Sequence, residues 1–380
     1  MKIGINGYEA VVPRFGFDKK TELPNRVGSG EFCFQLLNTL AKIDKKNEYF
    51  IYLPKAPTSD IPKESKNWHY EVVKGRTLWT LVALSKKLFF DKEKIDVFFS
   101  PTHYLPFFVG KRSVISILDV SYLRFPELFK KRDLYQLKLW GGYSIKKAKK
   151  IITISNSSRN DIIKEYGVSG KKVIVVYPGI KSETNLKFKM QNSKLLEEKF
   201  DIKGEYILFV GTLQPRKNIE KLIEALTIVK NKNLELVIVG KKGWMYEDIL
   251  SAPIKYKVSD RVKFLDNVND EDLPSFYKNA DCFVLPSLYE GFGLPILEAM
   301  QYGCPVLASN VSSLPEAGGD AAIYFDPQNT EDIAEKIDKV TSDEKFRTEM
   351  IQKGYEQVKK FSWEKTARET LKVLEELGNK

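Results

Sequence analysis

The chain has 380 residues, a formal net charge of +11 and a composition that is 43% hydrophobic and 29% charged. That balance describes a globular protein with room for two cores and excludes a disordered polar chain. No apolar window approaches the roughly eighteen uninterrupted residues of a membrane-spanning helix.

Cysteines 33, 282 and 304 sit in apolar contexts without metal-ligand spacing. They read as reduced core thiols, giving the expectation of a cytoplasmic protein. Basic clusters occur at Lys111-Arg112, Lys130-Lys131-Arg132 and Lys146-Lys147 with Lys149-Lys150. They suit an anionic partner: a membrane face, a lipid-linked phosphate or nucleic acid. The chain lacks an RNA-binding aromatic motif, zinc-finger spacing and a basic zipper, which ranks nucleic acid below the other two.

In chain order, Met1–Asn6 reads as a first strand rather than a signal peptide. Further strand-like runs at 49–53, 95–99, 113–118, 150–154 and 172–176 alternate with helical patterns, which predicts a doubly wound parallel sheet. A long loop with Pro13, Phe15, Gly16 and Pro24 leads through Gly28-Ser29-Gly30 into a helix from about Glu31. Ligands bind outside the carboxyl ends of strands in such sheets, so this loop is expected at the ligand side. It lacks the third glycine of a dinucleotide fingerprint.

Residues 76–90 read as an amphipathic, aromatic-rich helix that either rests on a membrane or packs on its own sheet, the second being favoured. Ser100–Pro106 follows a strand, which makes His103 and Tyr104 candidates for acceptor or sugar contact. Residues 126–148 read as one long helix, Ser155–Ser158 caps the next, and Tyr177-Pro178-Gly179 closes a first domain.

The second half opens with a buried strand at 206–210. Gly211-Thr212-Leu213-Gln214-Pro215-Arg216-Lys217-Asn218 follows, with Asn218 as the expected cap of a helix 219–229. Arg216 and Lys217 then stand beyond a strand end, where a guanidinium fork and an ammonium would neutralise a diphosphate. Strands are expected at 234–239 and 262–265. Asp270-Glu271-Asp272 reads as a helix start capped by Asp270, not as a metal site.

The most informative stretch is 281–327. Cys282–Leu285 is a buried strand, Glu290-Gly291-Phe292-Gly293-Leu294 a glycine-punctuated loop, and Pro295 the expected first residue of a short helix stopped by Gly303. Cys304–Ala308 is the next strand. A strand, a glycine loop and a helix amino end make an anion site. Glu290 and Glu298 flank it, and an ionised carboxylate offers only acceptors, which suits pairs of sugar hydroxyls. Helices follow at 330–341 and 343–360, and an amphipathic one runs from 361 to 377.

The spacing of Glu290 and Glu298 around Gly-Phe-Gly-Leu-Pro resembles the Glu-x7-Glu signature of family 4 retaining glycosyltransferases, in particular the mannosyltransferase-like group of surface polysaccharide biosynthesis. The similarity covers essentially the whole chain, more specifically in its second half. It implies the GT-B fold: two Rossmann-like doubly wound parallel-sheet domains facing across a cleft. These would be an acceptor domain over 1–179, a linker over 180–190, a donor domain over 191–360 and a terminal helix over 361–380 crossing back to the first domain.

The resemblance further implies a role for each matching residue. Gly28 and Gly30 would lie beside the donor phosphates and the acceptor, and Gly211, Arg216 and Lys217 at the diphosphate. Val268 would hold the base through its backbone. Gly291, Phe292, Gly293 and Leu294 would line the donor site with Glu290 and Glu298. Relatives carry His-Asp-Leu after the strand where this chain has Leu118, Asp119 and Val120. The Asp119 role is expected to be kept, and Leu118 implies a more apolar pocket near C6, favouring a 6-deoxy sugar or a pentose.

The activity implied is retaining, metal-independent transfer from a GDP-, UDP- or dTDP-linked sugar to a hydroxyl of a glycan or lipid-linked glycan, without a cofactor. It would act in the cytoplasm, with peripheral contact at the anionic inner face of the cell membrane. Two other readings stay open on sequence: a nucleotide-sugar hydrolase or small-glycoside synthase of the same fold, and a non-catalytic nucleotide- or nucleic-acid-binding protein.

Overall fold

The structure is a computed structural model describing residues 1–13, 16–18, 21–75, 78–91, 95–181, 193–266 and 268–379. Short runs of β-branched and aromatic residues, buried on both faces, become parallel strands because neither face can be left to water. The described residues fall into two compact units, Met1–Gly179 with Ser362–Lys380, and Ile180–Phe361. Most of the expected linker, 182–190, lies outside the described residues, as does Phe15.

In the first unit the strands are β1 (Lys2–Asn6), β2 (Glu48–Leu53), β3 (Trp68–Val72), β4 (Val97–Ser100), β5 (Ser113–Ser116), β6 (Lys150–Thr153) and β7 (Val173–Val175). All pair in parallel in the order β3-β2-β1-β4-β5-β6-β7. The order reverses between β1 and β4, the place where open α/β sheets bind ligands. There Asn6 donates to Ser100 Oγ at 3.0 Å, and Ser100 donates to the Tyr104 carbonyl at 2.7 Å. The terminal helix Trp363–Gly378 packs on the helix Ser29–Ile43 of this unit, with the Trp363 ring edge-on to Phe32 at 5.8 Å.

In the second unit β8 (Tyr206–Val210), β9 (Glu235–Val239), β10 (Val262–Leu265), β11 (Cys282–Leu285), β12 (Val306–Ser309) and β13 (Ala322–Phe325) pair in parallel in the order β10-β9-β8-β11-β12-β13. Here the order reverses between β8 and β11. The helix Ile219–Leu226 covers this sheet with a face of Ile219, Leu222, Ile223 and Leu226, all fully buried.

Three expectations are corrected. The run 126–148 is not one helix: a 3-10 turn at Pro126–Leu128 is cut off by extended Phe129 and Lys130 from a longer helical run, Lys131–Lys147, with a π-helical stretch at Leu137–Gly141. The helix expected over 76–90 forms only at Ala83–Phe90, because Leu78 turns at φ 54° and Trp79 is drawn down onto the Val73 carbonyl at 2.7 Å; residues 76 and 77 lie outside the described residues. Asp270 does not cap the helix that follows it. The helix there is Leu273–Asn279, and Asp272, just before it, pairs with Lys199. Strands β3 and β13 were not anticipated; both are sheet edges.

Candidate active site

The carboxyl ends of β8 and β11 adjoin at the reversal point of the second sheet, and the loops leaving them meet. From β8 the chain runs through Gly211 to a single 3-10 turn, Pro215–Lys217, that carries Arg216 and Lys217. The β8 and β9 ends lie so close that a Cβ on Gly240 would stand 1.8 Å from the Gly211 carbonyl oxygen. Only glycine allows that approach.

From β11 the chain passes Ser287 and reaches Glu290, whose carboxylate is buried between the two cations. Arg216 Nη1 donates to Oε2 at 3.1 Å, Lys217 Nζ to Oε1 at 2.5 Å and Ser287 Oγ to Oε1 at 2.7 Å. Arg216 also donates to the Tyr289 carbonyl. The Glu290 backbone is fixed as well: its N–H donates to Ser312 Oγ at 2.9 Å, and its carbonyl accepts from Ser313 Oγ at 2.8 Å.

Burial pushes the Glu290 carboxyl up, but the Lys217 ammonium and the Arg216 guanidinium outweigh it and hold the group at about 2. The side chain is therefore an anion throughout the physiological range. It cannot deliver a proton. A carboxylate has about four acceptor positions; among the described residues three are taken, which leaves room for a further hydroxyl.

Beyond Glu290 the loop turns at Gly293, at φ 100°, where a Cβ would meet the Leu314 side chain at 2.7 Å. The helix Leu294–Gln301 starts at once, a residue earlier than expected, with Pro295 inside its first turn. Among the described residues, the amides of Gly293 and Leu294 have no acceptor. Two N–H groups and a helix amino end thus form an anion-binding corner. Glu298 lies one turn further on, half-buried, its Oε2 accepting from the hydroxyl of the fully buried Tyr277 at 3.0 Å.

Asn218 departs from expectation. It precedes the helix Ile219–Leu226 in a left-handed conformation, φ 57°, without capping it through its side chain. Its amide instead donates to the carbonyls of Pro286 at 3.0 Å and Pro327 at 2.8 Å, tying the loops after β8, β11 and β13 together. Ser287, Ser312, Ser313 and Tyr277 also escaped sequence reasoning. Ser287 stands three residues before Glu290, the one local signal; the others come from distant loops and helices.

Val268 is half-buried just past β10, and the neighbouring Asn267 lies outside the described residues. Phe292 is buried edge-on to Phe361 at 5.5 Å. The other candidates belong to the first unit. Gly28, at φ 54°, precedes the helix Ser29–Ile43, and Gly30 lies against the Glu9 carbonyl. The Glu9 carboxylate accepts from Ser29 Oγ at 3.1 Å in that first turn. His103 and Tyr104 follow β4 with half-buried rings, and Tyr104 sits edge-on to Trp140 at 6.4 Å. Asp119 accepts from Ser121 N at 2.9 Å and Ser121 Oγ at 2.6 Å, starting the turn Ser121–Arg124. Among the described residues, no three His, Cys, Asp or Glu side chains converge as metal ligands.

Residues 191–357 match the family described as Glycosyl transferases group 1, and residues 28–184 match Glycosyltransferase Family 4. The O-antigen chain mannosyltransferase B of Escherichia coli is 34% identical over 280 residues, which is 72% of this chain and 73% of that protein. The serotype-specific mannosyltransferase WbdA of Escherichia coli is 32% identical over 242 residues, 62% of this chain; the match spans only 29% of that longer protein. Sucrose-phosphate synthase from Thermosynechococcus elongatus superposes with a TM-score of 0.75 at 18% identity, covering 99% of both chains. Anabaena HepE, solved with UDP and glucose, gives 0.69 at 18% identity, covering 99% of this chain and 100% of that one.

Proposed function

On the footing that this chain belongs to glycosyltransferase family 4 and has the GT-B fold, we propose that it moves a sugar from a nucleoside-diphosphate sugar to a hydroxyl of a growing glycan or lipid-linked glycan in surface polysaccharide assembly. One observation carries the reading: an ionised, buried Glu290 held by Arg216 and Lys217 at a sheet reversal, beside the amides of Gly293 and Leu294 at a helix amino end. The similarity to an O-antigen chain mannosyltransferase and to a serotype-specific mannosyltransferase, with the UDP and glucose bound by HepE, supports the choice of pathway and donor class.

In this account Arg216, Lys217 and the amides of Gly293 and Leu294 take up the charge that develops on the leaving diphosphate. Glu298, steadied by Tyr277, receives the ribose hydroxyls. Glu290 has two tasks: it positions the two cations, and with its remaining acceptor capacity it orients the sugar and stabilises positive charge at the anomeric carbon. Transfer proceeds with retention and without metal, the leaving phosphate taking the acceptor proton. The enzyme works in the cytoplasm, in peripheral contact with an anionic membrane face where a lipid-linked acceptor is met. Incubation with radiolabelled nucleotide sugars and a lipid-linked glycan tests this. Label extended onto the glycan is expected; label released only as free sugar would make the protein a hydrolase.

A further inference from the structure

The first unit carries a surface that the transfer chemistry does not use. At the end of the helix Ala83–Phe90, Phe89 and Phe90 are 65% and 77% exposed, and Phe108, in the loop after β4, is 58% exposed. Their rings touch: Phe89 lies 5.1 Å from Phe90 and 5.3 Å from Phe108. Phe107 continues the cluster to Tyr143, edge-on at 5.4 Å. Along the helical run Lys131–Lys147, Tyr135, Leu139 and Tyr143 follow at intervals of four on the exposed face. Isolated exposed apolar residues need no explanation; a connected patch of this length on a charged protein does.

Charge says what covers it. The run 131–147 holds Lys131, Arg132, Lys138, Lys146 and Lys147 against the single carboxylate of Asp133. Lys86 is exposed one turn before Phe89 and Phe90, and Lys147 reaches the Tyr143 hydroxyl at 2.8 Å. Glu71 and Asp91, near the helix Ala83–Phe90, are both paired with Lys87 at 3.2 Å. Aromatic rings flanked by long cationic side chains match the boundary of an anionic bilayer, where rings sit at headgroup depth and ammonium groups remain among the phosphates.

We propose that this surface, formed by Phe89, Phe90, Phe107 and Phe108 with the outer face of Lys131–Lys147, docks the protein on an anionic lipid bilayer. It gives the membrane contact of the proposed function a location, and rests on that reading only for what the contact serves.

The test is co-sedimentation of the full chain with phosphatidylcholine vesicles, with and without phosphatidylglycerol. Wild type is expected to bind the phosphatidylglycerol vesicles and to release with added salt. Phe89→Ser with Phe90→Ser and Phe108→Ser should weaken partition at least roughly tenfold, and Arg132→Glu with Lys138→Glu should abolish the lipid preference, about fivefold per charge removed. Both variants should keep wild-type melting and wild-type affinity for nucleoside diphosphate, because every substituted side chain is exposed and the diphosphate site lies in the other unit. Absence of vesicle binding by wild type, or unchanged partition of both variants, overturns the assignment. So does self-association of wild type in solution that the phenylalanine variant loses, which would make the patch an interface between copies. Diphosphate affinity is read separately, so failure here leaves the transferase reading standing.

Discussion

Replacing Glu290 with Gln keeps the side-chain shape and removes the charge, isolating what the carboxylate does. In the folded chain it faces Arg216 and Lys217, whose side chains are only 16% and 12% exposed. Removing one partner of a buried ion pair costs about 3–5 kcal/mol. Arg216 keeps the Tyr289 carbonyl, which puts the expected loss near the low end, about 3 kcal/mol, or a fall in melting temperature of roughly 6–12 °C for a unit of this size. The same change removes the carboxylate that competes with an incoming anion for both cations. The Glu290→Gln variant should therefore bind nucleoside diphosphate at least as tightly as wild type, and diphosphate at about 100 times its Kd should restore roughly 2.7 kcal/mol. Turnover should drop about 10²–10³-fold, because the charge opposite the sugar is gone. Scanning calorimetry with and without diphosphate, alongside steady-state kinetics, reads all three quantities. A variant that melts and turns over like wild type would show Glu290 to be an ordinary loop residue.

The remaining predictions concern binding, packing, acidity and donor choice. Glu298→Ala should raise the donor KM about tenfold or more, because hydrogen bonds to a charged group contribute about 1.5–3 kcal/mol, while Arg216→Ala should act chiefly on kcat; unchanged kinetics in both would remove the site assignment. Gly240→Ala forces a Cβ against the Gly211 carbonyl and should destabilise the second unit by about 3 kcal/mol in denaturant titration. Glu290 is lowered from an ordinary 4.5 to about 2, so its contribution to stability is complete above about pH 4.5 and is lost as pH falls toward 2. The rate profile should accordingly show no limb from it between about pH 5 and 8. Leu118 should favour a 6-deoxy donor over its 6-hydroxy analogue by a modest factor, about tenfold, and a higher kcat/KM with the 6-hydroxy donor would contradict this.

Buried central strands were legible because burial on both faces leaves a short continuous apolar run, as at Tyr206–Val210 and Cys282–Leu285. Edge strands hide: Trp68–Val72 mixes Trp and Tyr with His69 and Glu71 because much of it meets solvent, and its pattern resembles a loop. Glycine and proline punctuation located the Glu290–Glu298 loop to within a residue. What could not be read is tertiary. Asn218 looks like a cap by type and position, yet it spends its amide on two carbonyls from other strand ends. Ser312 and Ser313 hold the Glu290 backbone from more than twenty residues away. The Lys131–Lys147 run kept helical periodicity, but nothing local signalled the π-helical stretch or the break at Lys130.

In the proposed function the reversal point of the second sheet binds a nucleoside diphosphate through Arg216 and Lys217 without metal. The most direct measurement is a thermal-shift titration of wild type and of the Arg216→Ala, Lys217→Ala double variant with the diphosphates of guanosine, uridine, thymidine and adenosine, each with and without chelator. One nucleotide is expected to stabilise wild type, with or without chelator, and to have no effect on the double variant. Stabilisation that survives in the double variant, or that chelator abolishes, would contradict this.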